Sequence, residues 1–212
     1  MCIRDRFPGR GRVYAVPAPV PGPEGRAHWA VRHYRRGGAM AMHMEDRYLR
    51  VGRPRPFREL KASVTARERG IRTPAVMAGV IYPDGLYYRC DLVTEVVPGV
   101  RTLAELLHEH DGTREWLVSM GRAGALVRRL GEAGVFHVDL NARNILLSDD
   151  PDEDAWVVDL DRARILRGAS PSASERMQVR LTRSIIKFGT PTGERLGDAE
   201  VARALNRQLE TR

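Results

Sequence analysis

The stretch VFHVDLNARNILLSDD, residues 135–150, constrains this chain more than any other. Two apolar residues, Val135 and Phe136, lead into a polar loop, and Ile145-Leu146-Leu147 leads out of it as strand. Within the loop, Asp139 follows His137 by two positions and Asn144 follows Asp139 by five. A second apolar run, Trp156-Val157-Val158, ends in another acid, Asp159. Two carboxylates and one neutral amide are thus delivered by the ends of short strands. Taken singly, each has an ordinary explanation, because Asp and Asn serve turns and caps and a lone His usually packs. Their joint order and strand context are far more specific.

The spacing H-x-D-x-x-x-x-N, followed by an apolar strand closing on Asp, matches the signature set of the kinase fold. Phosphoryl transfer asks little covalent chemistry of a protein. It needs a group to take or orient the acceptor proton, and oxygen ligands for magnesium. Asp139 is the candidate base. Asn144 offers a neutral carbonyl and Asp159 an anionic oxygen to Mg²⁺ on ATP. His137 reads as a structural residue packed under the loop. Asp161, two residues past Asp159, falls on the same side of an extended chain and is either a second acid near the metal or the partner of an arginine.

The upstream chain fits the same plan. GRGRVYAV (9–16) puts Gly9 and Gly11 before a β-rich run, where bare backbone amides could approach phosphates. HWAVRHY (28–34) reads as a strand with Ala30 and Arg32 on one face. Kinases carry a small residue and a lysine at that spacing; here Arg32 takes the lysine position. Residues 35–55 read as irregular. A helix is expected over about 56–69, stopped by Gly70, with Phe57, Leu60 and Val64 on one face. Glu59 on this helix is the expected partner of Arg32, and Arg58 an alternative contact for substrate. Two strands are expected around Pro83-Asp84-Gly85, then a hinge at 97–100, two helices, and a polar tail from about 168 forming two helical pieces. MCIRDR, at the start, does not read as strand.

Composition narrows the partners. Among 212 residues, Lys+Arg number 35 and Asp+Glu 27, giving a formal net charge of +8. Only Lys61 and Lys187 are lysines, so the basic character is arginine, the better bidentate partner for phosphate and carboxylate. Such a chain suits an anionic partner. Nucleic acid ranks last, since the basic residues are dispersed and no recognition motif appears. Cys2 and Cys90 make neither a disulfide framework nor a zinc site. The start lacks the apolar core of a signal peptide, which makes the cytoplasm the default compartment.

HVDLNARNILL resembles the loop of the 3-deoxy-D-manno-octulosonic acid (Kdo) kinases of lipopolysaccharide-core assembly. Leu140-Asn141-Ala142 separates it from the loops of protein kinases and aminoglycoside kinases. GRGRVYAV, VRHYRRGG (31–38), DRYL (46–49), FRE (57–59), DLVTEVVPGVRTLAELL (91–107) and RLTRSIIK (180–187) extend the resemblance over nearly the whole chain. It implies an α+β, two-lobed protein-kinase-like fold: a small antiparallel-sheet N-lobe over 1–98 and a mostly helical C-lobe over 99–212. It implies ATP and Mg²⁺ as cofactors, with Glu95 and Val97 at the nucleotide hinge beside Gly9, Gly11, Ala30 and Arg32. The implied acceptor is Kdo-lipid A, phosphorylated on the 4-hydroxyl at the cytoplasmic face of the inner membrane. An Arg-rich chain would meet that anionic surface peripherally. Arg35 and Arg36 are the first candidates to contact the acceptor. Four features depart from the kinase pattern: Arg32 in place of lysine, Leu160-Asp161 where protein kinases have Phe-Gly, a methionine-rich run AMAMHME (39–45) read as a loop or short helix, and a glycine loop so near residue 1 that an N-terminally truncated chain is expected. A kinase with another acceptor, or a pseudokinase binding module, are the competing readings.

Overall fold

The computed structural model describes the backbone of residues 4–7 and residues 13–35, 46–109, 114–150, 153–188 and 197–207. Gly9, Gly11, Arg36 and the methionine-rich run 39–45 lie outside the described residues. The chain divides into two compact units, one of residues 1–64 with 74–98, the other of 65–73 with 99–212.

The first unit is built on one antiparallel sheet. Its strands are β1 (Arg4–Phe7), β2 (Val13–Pro17), β3 (His28–His33), β4 (Tyr48–Leu49), β5 (Val76–Asp84) and β6 (Tyr87–Glu95). They run in the order β1-β2-β3-β6-β4, with β5 also paired to β6. β5 and β6 form a long hairpin whose turn is eased by Gly85 at φ +58°. Alternation along β6 buries Tyr88, Cys90 and Leu92 on one face, where they join Tyr34 and Tyr48 with Val76 and Ile81 at the edge. Two expectations are corrected here. Residues 4–7 do form a strand: Arg6 and Phe7 pair with Tyr14 and Val13, so pairing with β2 overrides weak local propensity. Residues 48–49 also form a short strand within the stretch read as irregular, held by pairing to β6.

Helix α1 (Arg55–Glu68) ends as its sequence requires. Gly70 adopts φ +76°, the Ile71 N–H reaches the Ala66 carbonyl (2.9 Å) and the Gly70 N–H reaches that of Arg67 (2.9 Å), closing a Schellman motif. Its buried face, however, is not the apolar stripe. Phe57 and Val64 are 40% and 46% exposed, whereas Glu59, Ala62, Ser63 and Ala66 are buried. Small residues let the helix approach its neighbours closely, and Glu59 is buried because it is paired.

The second unit is mostly helical. It contains β7 (Val100–Thr102), α2 (Leu103–Glu109), α3 (Arg114–Glu132), β8 (Val135–Phe136), β9 (Ile145–Ser148), β10 (Trp156–Val157), β11 (Arg164–Ile165), α4 (Pro171–Phe188) and α5 (Asp198–Asn206). Thr102 and Glu105 form a capping box at α2: the Glu105 N–H donates to Thr102 Oγ1 (3.2 Å) and the Thr102 N–H to Glu105 Oε2 (2.8 Å). Helices α3, α4 and α5 pack on one another around Met120, Leu130, Met177, Leu181, Ile185 and Leu205, all fully buried. α3 meets the end of α5 at Gly124, where a Cβ would stand 1.7 Å from the Leu205 carbonyl oxygen. Two small ladders, β10-β9-β7 and β11-β8, carry the polar loop between β8 and β9. Among the described residues no helix is long and apolar enough to cross a membrane.

Candidate active site

In the second unit, β8 and β11 pair antiparallel (Val135 with Ile165, Phe136 with Arg164), and β9 pairs with β10 (Ile145 with Val157). These ladders hold both ends of the loop 137–144 beside the segment 158–163. Asn141 organises the loop. Its Oδ1 accepts the Arg143 N–H (3.0 Å), capping a 3-10 turn over Ala142–Asn144. Its Nδ2 donates to the Asp139 carbonyl (2.9 Å) and to Asn144 Oδ1. One side chain thus ties together the two loop residues singled out from spacing.

Val158 links the loop to Asp159. Its N–H donates to the Asn144 carbonyl (2.9 Å), and its own carbonyl accepts from His137 Nε2 (3.0 Å). A carbonyl only accepts, so Nε2 carries the ring proton. His137 is 1% exposed. Burial pushes its pKa below the usual 6.5, against the opposing pull of the Val158 carbonyl and the carboxylates of Asp159, Asp139 and Asp161. It is a neutral strut under the loop, as its sequence context suggested.

Asp159 sits at φ 66°, ψ 51°, the one non-glycine residue with positive φ among the described residues. A left-handed Asp costs backbone energy of about 1 kcal/mol or more, and such outliers cluster at functional sites. The bend turns the chain directly into a 3-10 turn over Leu160–Arg162. Asp161 is therefore not on the Asp159 side of an extended strand, as the alternation implied, but 6% exposed within that turn.

The Asp139 carboxylate has basic neighbours that spacing did not reveal. Arg162 Nη1 donates to Oδ2 at 2.6 Å, and Arg180 Nη2 stands 3.7 Å from Oδ1. Arg180 belongs to a longer register between the loop and α4. The His137 N–H reaches Met177 Sδ (3.3 Å), Asp139 faces Arg180, the Ala142 N–H donates to Ser184 Oγ (3.1 Å), and the Arg143 guanidinium lies 4.9 Å from the Phe188 ring centroid. Residues 177, 180, 184 and 188 follow helical spacing, so one face of α4 lines the loop along its length. Arg162 follows Asp159 closely enough to have been suspected. Arg180 and Ser184 gave no local signal beyond their place in RLTRSIIK.

In the first unit, Arg32 Nη2 donates to Glu59 Oε2 at 2.6 Å, with Glu59 5% exposed. The Tyr34 hydroxyl donates to the same oxygen, and the Arg32 guanidinium also lies 4.8 Å from the Tyr34 ring centroid. The pairing inferred from sequence is present, with Tyr34 as an unforeseen member. Ala30 is half-buried on β3 between Ala15 and Thr94, and Val97 is half-buried after β6. Glu95 is 1% exposed and its carboxylate accepts the Glu24 N–H (3.2 and 3.3 Å), so its side chain serves the β2–β3 turn. Arg35 and Arg58 are exposed.

The donor set of Asn144 and Asp159, an amide carbonyl and a carboxylate, suits a hard cation that takes oxygen ligands. Among the described residues no group of three or more His, Cys, Asp or Glu gathers to hold a metal.

The fold is that of the kinase-like phosphotransferases. A solved structure described as WaaP in complex with acyl carrier protein superposes at a TM-score of 0.57 over 98% of this chain and 80% of that one, at 17% identity. Sequence comparison is more particular. Residues 10–203 match the lipopolysaccharide kinase (Kdo/WaaP) family, and the chain belongs to it. Among its relatives are the 3-deoxy-D-manno-octulosonic acid kinases of Stenotrophomonas maltophilia (strain R551-3), 34% identical over 85% of this chain and 68% of that protein, and of Xylella fastidiosa (strain M12), 35% identical over 90% and 71%. A kinase family implies ATP as phosphate donor.

Proposed function

We propose that this chain transfers the γ-phosphate of ATP to the 4-hydroxyl of Kdo on Kdo-lipid A, a step of lipopolysaccharide-core assembly. The observation that carries the reading is the hydrogen-bonded unit Asp139–Asn141–Asn144–Val158–His137, which ends on the left-handed Asp159. It supports the reading because it ties together the backbone that carries the base and the two oxygen ligands assigned here. The family and the two relatives supply the acceptor class.

In this reading Asp139 accepts the proton of the acceptor hydroxyl as its oxygen attacks the γ-phosphorus. The bond from γ-phosphorus to the bridging oxygen breaks, and ADP leaves with the electron pair. Asn144 and Asp159 would hold Mg²⁺, which when bound supplies charge neutralisation on the phosphates. Arg32 binds phosphate, oriented by Glu59 and Tyr34. Gly9 and Gly11 offer backbone amides to the same phosphates, while Ala30 and the main chain at Glu95 and Val97 meet the base. Arg35 and Arg36 contact the acceptor. The arginine-rich charge of +8 suits peripheral association with the anionic cytoplasmic face of the inner membrane.

The test is transfer of labelled γ-phosphate from Mg-ATP to Kdo-lipid A, comparing the native chain with Asp139→Ala. Transfer that vanishes in the variant supports both acceptor and base. Mg-ATP binding without transfer to this lipid, in a screen that finds another acceptor, replaces the Kdo assignment with a different kinase. Binding with no acceptor at all would make the chain a nucleotide-binding module.

A further inference from the structure

The mechanism above leaves Arg162 and Arg180 without a task, although both stand on the base itself. Asp139 Oδ2 accepts from Arg162 Nη1 at 2.6 Å, while Oδ1 is 3.7 Å from Arg180 Nη2, beyond hydrogen-bonding distance. A carboxylate holding a guanidinium on one oxygen is a hindered proton acceptor. Yet this pair is open: the side chains of Arg162, Arg180 and Asp139 are 56%, 50% and 37% exposed. Exposed ion pairs contribute little net stability, so their partners exchange at small cost. Each guanidinium also has five N–H donors, and its planar fork matches a carboxylate bidentately. Asp139 uses a small part of that capacity. The neighbouring Arg143 is turned to the Phe188 ring, and α4 fixes Arg180 in register with the loop through Met177 and Ser184. The fold thus fixes the backbone of both arginines beside the loop, Arg180 through α4 and Arg162 through the 3-10 turn after Asp159, while their guanidiniums meet at Asp139.

An acceptor hydroxyl must lie within about 3 Å of the Asp139 carboxylate to give up its proton. An anion held by Arg162 and Arg180 would then sit only one further hydrogen-bond length away. The matching acceptor carries a carboxylate close to the hydroxyl that reacts, as an acidic keto-sugar does. We infer that Arg162 and Arg180 form the carboxylate-binding pair for the acceptor sugar, exchanging Asp139 for the sugar's carboxylate and so freeing the base only when an acidic acceptor is in place. The inference rests on the kinase reading given above. It adds a selection step, because a neutral acceptor leaves Asp139 tied to Arg162.

The experiment compares three acceptors with the full chain and Mg-ATP: Kdo-lipid A, the same lipid with its Kdo carboxylates methyl-esterified, and the same lipid with its lipid A phosphates removed. For the native chain, esterification is expected to lower kcat/KM by about 10- to 100-fold, the worth of a charge-assisted hydrogen bond, and dephosphorylation by much less. Arg180→Gln should lose a similar factor on the native lipid and little more on the ester, whereas Arg162→Gln, which also unties Asp139, should lose on the native lipid but transfer to the ester at least as fast as the native chain does. KM for ATP should not move, and Arg180→Lys should recover only part of the loss, since it restores charge without the fork. The comparison of acceptors on the native chain needs no variant to fold, and a thermal melt checks each variant. Equal transfer to ester and native lipid overturns the inference and leaves the kinase reading standing. If the arginine penalty merges with that of dephosphorylation instead, the pair takes a lipid phosphate and the carboxylate assignment is wrong. Absence of transfer to all three lipids removes the acceptor reading and this inference together.

Discussion

Arg32–Glu59 in the sheet unit and Arg162–Asp139 in the helical unit both close at 2.6 Å, yet they are built for different ends. Glu59 is 7% exposed at its side chain and shares one oxygen between Arg32 and the Tyr34 hydroxyl. Arg32 is itself 27% exposed and stacked near Tyr34. Asp139 and Arg162 are 37% and 56% exposed. Burial makes the first pair costly to break, since the partner left behind is a charge poorly served by water. Exposure makes the second cheap to break, since water replaces either partner. In the proposed mechanism an arginine that meets phosphate benefits from being held in one place. A base benefits from a partner it can leave.

That contrast predicts opposite consequences for the two carboxylates. Asp139→Asn should lower the rate of phosphate transfer by about 10²- to 10⁴-fold, while unfolding free energy changes by less than about 1 kcal/mol. A large stability loss measured by urea unfolding would show that the Asp139 pair is structural after all. Glu59→Ala should cost about 2–4 kcal/mol of stability, by leaving Arg32 and the Tyr34 hydroxyl without their shared acceptor. A loss under about 1 kcal/mol in the same measurement would erase the distinction.

Between these extremes lies the seam of the loop and α4. Ser184→Ala removes the acceptor for the N–H of Ala142, which is fully buried. The cost should be about 1–3 kcal/mol, read as a fall in Tm, with the acceptor KM more affected than that of ATP. His137 supplies a pH signature. Burial depresses its folded pKa below 6.5, so the unfolded chain binds the proton first. Its stability contribution is fully present above pH 6.5 and is lost as pH falls from there toward the depressed folded value. Urea titrations of the native chain and His137→Asn across that window should show the acid-side slope shrink in the variant. The smallest effect is electrostatic. The stability difference between the native chain and Arg162→Gln should be no more than about 0.5 kcal/mol at low salt and vanish at 0.5 M on the order of a 4 Å Debye length.

The loop was legible because its chemistry is local. His137, Asp139 and Asn144 lie within eight consecutive residues, and two short apolar runs declare the strands that hold them. Arg32 and Glu59 were legible as a pair because alternation puts Ala30 and Arg32 on one face and the kinase pattern pairs that position with a carboxylate on the following helix. The apolar stripe of α1 misled for a physical reason. Periodicity marks a face but not its neighbour, and here close packing selected Ala62, Ser63 and Ala66 while Phe57 and Val64 stayed exposed. The first strand was missed because RDRF has little strand character of its own and takes it from pairing with β2.

Local order therefore accounts for the kinase-like class and for the base and oxygen ligands proposed here, because spacing along a chain is enough to specify groups that two short neighbouring loops carry. It could not show which side chains stand on the base. Arg162 comes close through the left-handed turn at Asp159, and Arg180 through a helix that lies along the loop. Both depend on contacts between segments separated in sequence, which arise only when α4 and the β8–β11 ladder pack. Burial decided the rest, because two ion pairs of equal length differ in strength and exchange according to how much water reaches them.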